Sequence, residues 1–271
     1  MKMTGHLQKM QTKLESPVRY FMPLDDHLEP MNDHIGHSIS LQATGNIHCI
    51  ACGRKTNKSY SQGHCFPCMK SLPQCDMCIM KPETCHYDQG TCRDAAWGDE
   101  HCMKPHHVYL ANSSGIKVGI SRQLPTRWID QGASEGLAIM QVSHRRLSGL
   151  VEVIIKNHVS DRTDWRKMLK GVPDNIDLAT RRDELFAACE DELADLEAEY
   201  GNDAIVKLDD SASTNIEYPV IDYPSKVSSL NFDKTPHITG VLQGIKGQYL
   251  ILDSGVLNIR KFSGYEIEFE A

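Results

Sequence analysis

An α+β architecture is expected of this chain, for three reasons. Strand-like stretches gather at both ends, strand and helix signals alternate through the middle, and a cysteine-crowded segment divides the first group from the second. With 271 residues, the chain can form two domains, or one domain carrying smaller modules.

The elements follow in order. Residues 1–46 hold mixed stretches such as Val18-Arg19-Tyr20-Phe21-Met22 between turn residues, and read as a β-rich segment of short strands. The far end is similar: Tyr249-Leu250-Ile251-Leu252, a turn at Asp253-Ser254-Gly255, then Val256-Leu257-Asn258-Ile259 is a hairpin signature. Thr4-Gly5-His6-Leu7-Gln8 also echoes Thr239-Gly240-Val241-Leu242-Gln243. The two termini are therefore expected to join one β-rich module that brackets the rest.

Residues 47–104 form the cysteine-rich module. Residues 105–170 form a separate α/β unit. His107 to Ala111 and Ile116 to Ile120 read as strands joined by the turn Asn112-Ser113-Ser114-Gly115. Pro125-Thr126 opens a short helix that ends near Gly132. Leu137 to Val142 is a third strand, and a helix runs from about Leu147 to Val159. Within residues 171–201, a long helix over 176–200 carries Leu178, Leu185, Phe186, Cys189, Leu193 and Leu196 at helical spacing, and Gly201 closes it. Its outer face is acidic and solvated. Residues 202–271 read as a loop-rich bridge followed by the C-terminal β segment.

Nine of the ten cysteines lie between Cys49 and Cys102. Cys49-x2-Cys52 and Cys65-x2-Cys68 are two knuckles of the kind that wraps one tetrahedral zinc ion. A closed four-thiolate site leaves no open position for chemistry, so the role expected of it is structural. Cys75-x2-Cys78 begins a second cluster, completed by two ligands from among Cys85, Cys92, Cys102, His86 and His101. A second zinc is the first choice there, and an iron–sulfur cluster is the alternative. No apolar run approaches the ~18 residues of a membrane span, and the first ten residues hold no apolar stretch suited to export. A cytoplasmic protein with reduced cysteines is expected, with no membrane partner.

Net charge is −7, which taken alone argues against nucleic acid. The distribution argues otherwise. Residues 103–170 carry 11 Lys and Arg against 5 Asp and Glu, whereas residues 171–271 carry 8 against 20. A basic segment lies inside an acidic protein.

That basic segment carries a pattern. Val108-Tyr109-Leu110, then Lys117-Val118-Gly119-Ile120-Ser121-Arg122, then Arg127 and Glu152, resembles the core of the GIY-YIG nuclease superfamily. The match is closest to the branches that write the second motif with lysine, and it covers about residues 106–170. The cysteine module and the stretch from Thr126 to Ala133 resemble a bacterial family of uncharacterised proteins that couples the two. The superfamily resemblance implies a small three-stranded antiparallel sheet with helices. It also implies that Tyr109 helps activate water, Arg127 stabilises the phosphate and Glu152 binds one divalent metal. Lys117 stands where the superfamily's tyrosine falls. With a pKa lowered by burial it serves as a base, and otherwise it contacts phosphate. Phosphodiester hydrolysis needs these parts: an activator, a cation for developing charge, and Mg²⁺ or Mn²⁺ on a carboxylate.

The function expected is thus a zinc-stabilised, divalent-metal-dependent endonuclease acting on DNA or RNA through the basic segment. Two alternatives stand beside it: a non-catalytic nucleic-acid-binding protein that keeps the fold, and a protein-interaction adaptor that uses the zinc knuckles and the acidic helix.

Overall fold

The computed structural model describes residues 2–201 and 203–271. Strands β1 (Lys2–His6), β2 (Gln11–Lys13), β3 (Arg19–Leu24), β4 (His27–Pro30) and β5 (Ser38–Ile47) open the chain. Short helices α1 (Phe66–Ser71), α2 (Met77–Met80) and α3 (Ala95–His101) follow in the cysteine segment. The middle runs β6 (His106–Asn112), β7 (Ile116–Ser121), α4 (Leu124–Asp130), β8 (Glu135–Val142), α5 (Arg145–Ile155) and α6 (Trp165–Met168). Then come α7 (Leu178–Ala188), α8 (Glu190–Tyr200), β9 (Ile205–Lys207) and β10 (Thr214–Asn215). Strands β11 (His237–Lys246), β12 (Tyr249–Leu252), β13 (Gly255–Asn258) and β14 (Tyr265–Glu270) close the sequence. The mixed α+β class is as expected.

The two ends of the chain meet in one antiparallel sheet of order β1-β14-β5-β11-β12-β13. Register pairs Lys2 with Glu270, Phe269 with Leu41, and Ile39 with Gly240. Period-two burial builds this sheet: Ile39, Leu41 and Ala43 point inward while Ser40 and Gln42 stay partly exposed. The small sheet β2-β3-β4 folds across it. Gly5 permits that crossing, because a Cβ there would lie 2.8 Å from the Leu24 backbone.

The second sheet has the order β10-β8-β6-β7, with β9 also on β8. Three long antiparallel strands carry it, and β9 and β10 add two short pairings on the outer edge of β8. It is buried on both faces. Tyr109 and Ala111 join the core of the terminal module, together with Trp128 and Ile129 of α4. Val108 and Leu110 face a second core built by Leu147, Val151 and Ile155 of α5 and Leu178 and Leu185 of α7. That is why β6 reads as a near-continuous apolar run rather than an alternating one.

One expectation is corrected. The acidic helix is two helices, α7 and α8, broken at Cys189 (φ −113°, ψ 16°). Both halves lay leucines on the same core, so a single helical period runs through the break. The bridge after Gly201 is largely irregular, with β9 and β10 as two short strands that pair with β8.

Candidate functional site

Four side chains of the first cysteine group converge. The Sγ atoms of Cys49, Cys52, Cys65 and Cys68 all lie within 4.8 Å of one another, and Cys52 and Cys65 are 3.8 Å apart. Thiolates about 2.3 Å from a tetrahedral zinc ion stand roughly 3.8 Å apart, so the cluster fits that ion. Burial opposes ionisation of Cys49, yet the backbone amides of Cys65, Cys52 and Ala51 pull its thiol down to about 6. The Cys68 thiol is pushed up to about 12, first by the Cys65 side chain. Four thiols this close cannot all ionise alone, and a divalent cation removes that conflict.

The second group departs from the expected knuckle. Cys75, at the end of the turn Pro73–Cys75, lies against the Ser61 side chain and within reach of the Cys49 charge, on the side of the first cluster. Cys78, Cys85, Cys92 and Cys102 instead line one narrow cavity. Burial pushes the Cys78 thiol up to about 11, with Asp76, Cys85, Cys102 and Cys92 adding to the rise. His101 stacks on Trp97 at 4.2 Å, and its Nδ1 bonds the Trp97 carbonyl.

Downstream, a cleft of about 900 Å³ runs between the cysteine segment, the middle sheet and the terminal module. Lys117 from β7, Arg127 from α4 and Glu152 from α5 all line it. Lys117 is 7% exposed. Burial lowers its ammonium to about 8, Arg127 adds repulsion, and Glu152 and Asp161 oppose the shift. Burial raises the Glu152 carboxyl above the usual range, against the pull of Lys117 and Arg127. The cleft is cationic. Eight Lys and Arg side chains face it, against the carboxylates Glu83, Glu152 and Asp161.

Tyr109 does not reach the cleft surface. It is fully buried, and its hydroxyl bonds the Gln131 side chain at 3.0 Å. With the Gln131 amide turned over, its oxygen accepts from Arg127 Nε at 2.8 Å as well. Gln131 therefore couples Tyr109 to Arg127 behind the cleft wall. Gly119 gives the ring its place, since a Cβ there would stand 2.5 Å from the hydroxyl. The β6–β8 register slips between Val108 and Tyr109, a local irregularity of the kind that re-aims a side chain.

The site is held from two sides. Gly149 of α5 packs against the Pro82–Glu83 backbone, with no room for a Cβ. Arg145 donates to the Ile79 carbonyl at 2.7 Å. The helix bearing Glu152 is thus seated on the cysteine segment. On the other side, Asp130 at the end of α4 accepts from Gln248 at 2.9 Å and pairs with Lys9. Gln248 in turn bonds both backbone groups of Met10. The terminal module also supplies Arg260 to the cleft.

Sequence reasoning missed Arg260, Arg145, Asp161 and Gln131. Gln131 had a signal, being four residues after Arg127 on one helix. Arg260 had none, because it arrives through a sheet closed by distant strands. A separate surface hollow of about 560 Å³, near Arg19 and Ile221, contains none of the expected groups. No helix among the described residues is long and apolar enough to cross a membrane.

These features define a cysteine-braced α+β protein with a basic, carboxylate-bearing cleft. Residues 36–267 match the family model DUF2797, described as protein of unknown function, and the chain belongs to that family. No curated protein and no solved structure gives a significant match.

Proposed function

We propose that the cleft binds nucleic acid and hydrolyses its phosphodiester bonds with a divalent cation held at Glu152. The observation that carries the proposal is the meeting of Lys117, Arg127 and Glu152 in one cation-rich cleft. The antiparallel arrangement of β7, β6 and β8 with α4 and α5 supports kinship with the GIY-YIG superfamily.

Each group has a task its surroundings suit. Arg127, oriented through Gln131, offers a planar pair of donors to the developing charge on phosphate. Lys117, lowered to about 8, is neutral in about a tenth of molecules at pH 7 and accepts the proton of an attacking water. Tyr109 is a positioning residue here, since its hydroxyl is spent on Gln131. Glu152 and Asp161 offer oxygen donors only, which suits Mg²⁺ or Mn²⁺ with substrate oxygens and water completing the shell. When bound, the ion supplies Lewis acidity to the phosphate and eases leaving-group departure. The remaining cations track the backbone of the polymer.

Plasmid and RNA cleavage with Mg²⁺ or Mn²⁺ tests the proposal. Glu152→Ala and Arg127→Ala are each expected to lower the rate by about 10²-fold or more. Undiminished cleavage by Glu152→Ala removes the assignment. The burial of Tyr109 favours one second reading, a binding protein without chemistry. Salt-sensitive binding with no cleavage by wild type selects it.

A further inference from the structure

We propose that Cys78, Cys85, Cys92 and Cys102 hold a second zinc ion, with Cys75 outside the ligand set. The four thiols come from four places: α2, the residue after the turn Pro82–Thr84, the loop before α3, and the end of α3. They line a cavity of about 10 Å³, whose wall also includes the apolar Pro73, Ile79 and Trp97 and the Asp76–Arg93 ion pair. A space of that size takes one water-sized sphere. It suits a single ion held by the four sulfurs.

A second observation is independent of the cavity. Within residues 72–104 the fully buried positions are Pro73, Pro82, Gly98 and Cys102, and the large side chains of Met77 and Met80 are exposed. A segment with so little apolar core cannot hold several short helices in place by burial. The first cluster cannot serve it either, because its ligands end at Cys68. A metal centre supplies the missing constraint, and four thiolates are the donors zinc favours in closed sites. Gly98 fits the same picture. A Cβ there would stand 3.5 Å from Cys92 Sγ and closer still to the Tyr87 ring, so the helix backbone is brought against the cavity wall.

A rival donor set is Asp76, Cys78 and His86, whose ligand atoms lie within 4.8 Å of one another. In that set Asp76 already accepts from Arg93 Nε at 2.7 Å, and Arg93 is anchored by the carbonyls of Met69 and Leu72. The Asp76 charge is thereby matched without an ion, and the set offers three donors where the thiols offer four. Unlike those of the first cluster, the four thiols do not all lie within 4.8 Å of one another, and closure around the ion is part of the proposal.

The full chain, purified with zinc in excess, is measured by elemental analysis and zinc X-ray absorption. Two zinc ions per chain with an all-sulfur shell near about 2.3 Å are expected. Cys85→Ser and Cys92→Ser should each retain one zinc, while Cys75→Ser, Asp76→Ala and His86→Ala retain two. One zinc in wild type, iron in its place, a nitrogen or oxygen in the shell, or loss of an ion from any of the last three variants overturns the proposal. If Cys85→Ser and Cys92→Ser fail to fold, the wild-type stoichiometry and absorption shell decide together with the zinc content of Cys75→Ser.

Discussion

Replacing Lys117 with methionine should make the protein more stable at neutral pH while removing its proposed chemistry. The side chain is 7% exposed, and burial drives its pKa from 10.5 to about 8. A lowered pKa on a base means that the folded state binds the proton more weakly than the unfolded state. The charged form then carries its full penalty below pH 8, and the penalty disappears as pH rises from about 8 to 10.5. A fall of about 2.5 in pKa at ~1.4 kcal/mol each gives an upper bound of about 3.5 kcal/mol. Methionine keeps the apolar stem without the ammonium. Removing the cation also leaves Glu152 with one neighbour fewer, which trims the gain to roughly 1–3 kcal/mol. The assay compares denaturation midpoints of wild type and Lys117→Met, with zinc present, at pH 7 and at pH 10.5. Groups common to both proteins cancel in the difference at each pH. The variant should lead at pH 7, and the gap should close at pH 10.5. A destabilised variant at pH 7, or a gap that does not change with pH, refutes the account of Lys117 as a strained functional group.

Three further outcomes are expected. Burial holds His106 down at about 4, so its unfolded form takes up a proton first as pH falls; wild type should lose up to about 3 kcal/mol between pH 6.5 and pH 4, and His106→Gln should show a flatter acid limb in the same denaturation series. Gly149→Ala should gain about 1 kcal/mol of helix propensity but lose more to the clash, because a Cβ would sit 2.5 Å from the Glu83 backbone nitrogen; the net expectation is a loss of ~1–2 kcal/mol, read from thermal melting. Lys156→Ala should weaken nucleic-acid binding about equally across sequences and lower the slope of log K against log salt by about 1, measured by a fluorescence titration.

Local features of this chain were legible in the sequence, and distant pairings were not. The turn Asn112-Ser113-Ser114-Gly115 announced the β6–β7 hairpin, since Gly115 takes φ +129°. The hairpin of β12 and β13 was visible from its alternation and its Asp-Ser-Gly turn. The zinc knuckles at Cys49 to Cys68 were visible because ligand spacing is itself a local property. Cys75 shows the reach of the same rule: its thiol lies against the Ser61 side chain, apart from the cavity that Cys78 lines. The break at Cys189 was hidden by two helices that share one apolar core. In the cleft, Lys117, Arg127 and Glu152 could be named only through the resemblance to the GIY-YIG pattern. Arg260 could not, because its approach depends on β11 pairing with β5 across nearly the whole chain.

The link from Gln248 to Asp130 and Met10 bears on the order of synthesis. The helices that carry Arg127 and Glu152 leave the ribosome well before residues 237–270. Until that last stretch pairs with β1 and β5, Asp130 lacks its Gln248 clamp and the cleft lacks Arg260. A chain that has made only residues 105–170 therefore holds Lys117, Arg127 and Glu152 without the wall that completes their setting. The cleft assembles only once strands far apart in sequence have paired, so its construction is a late, long-range event in folding.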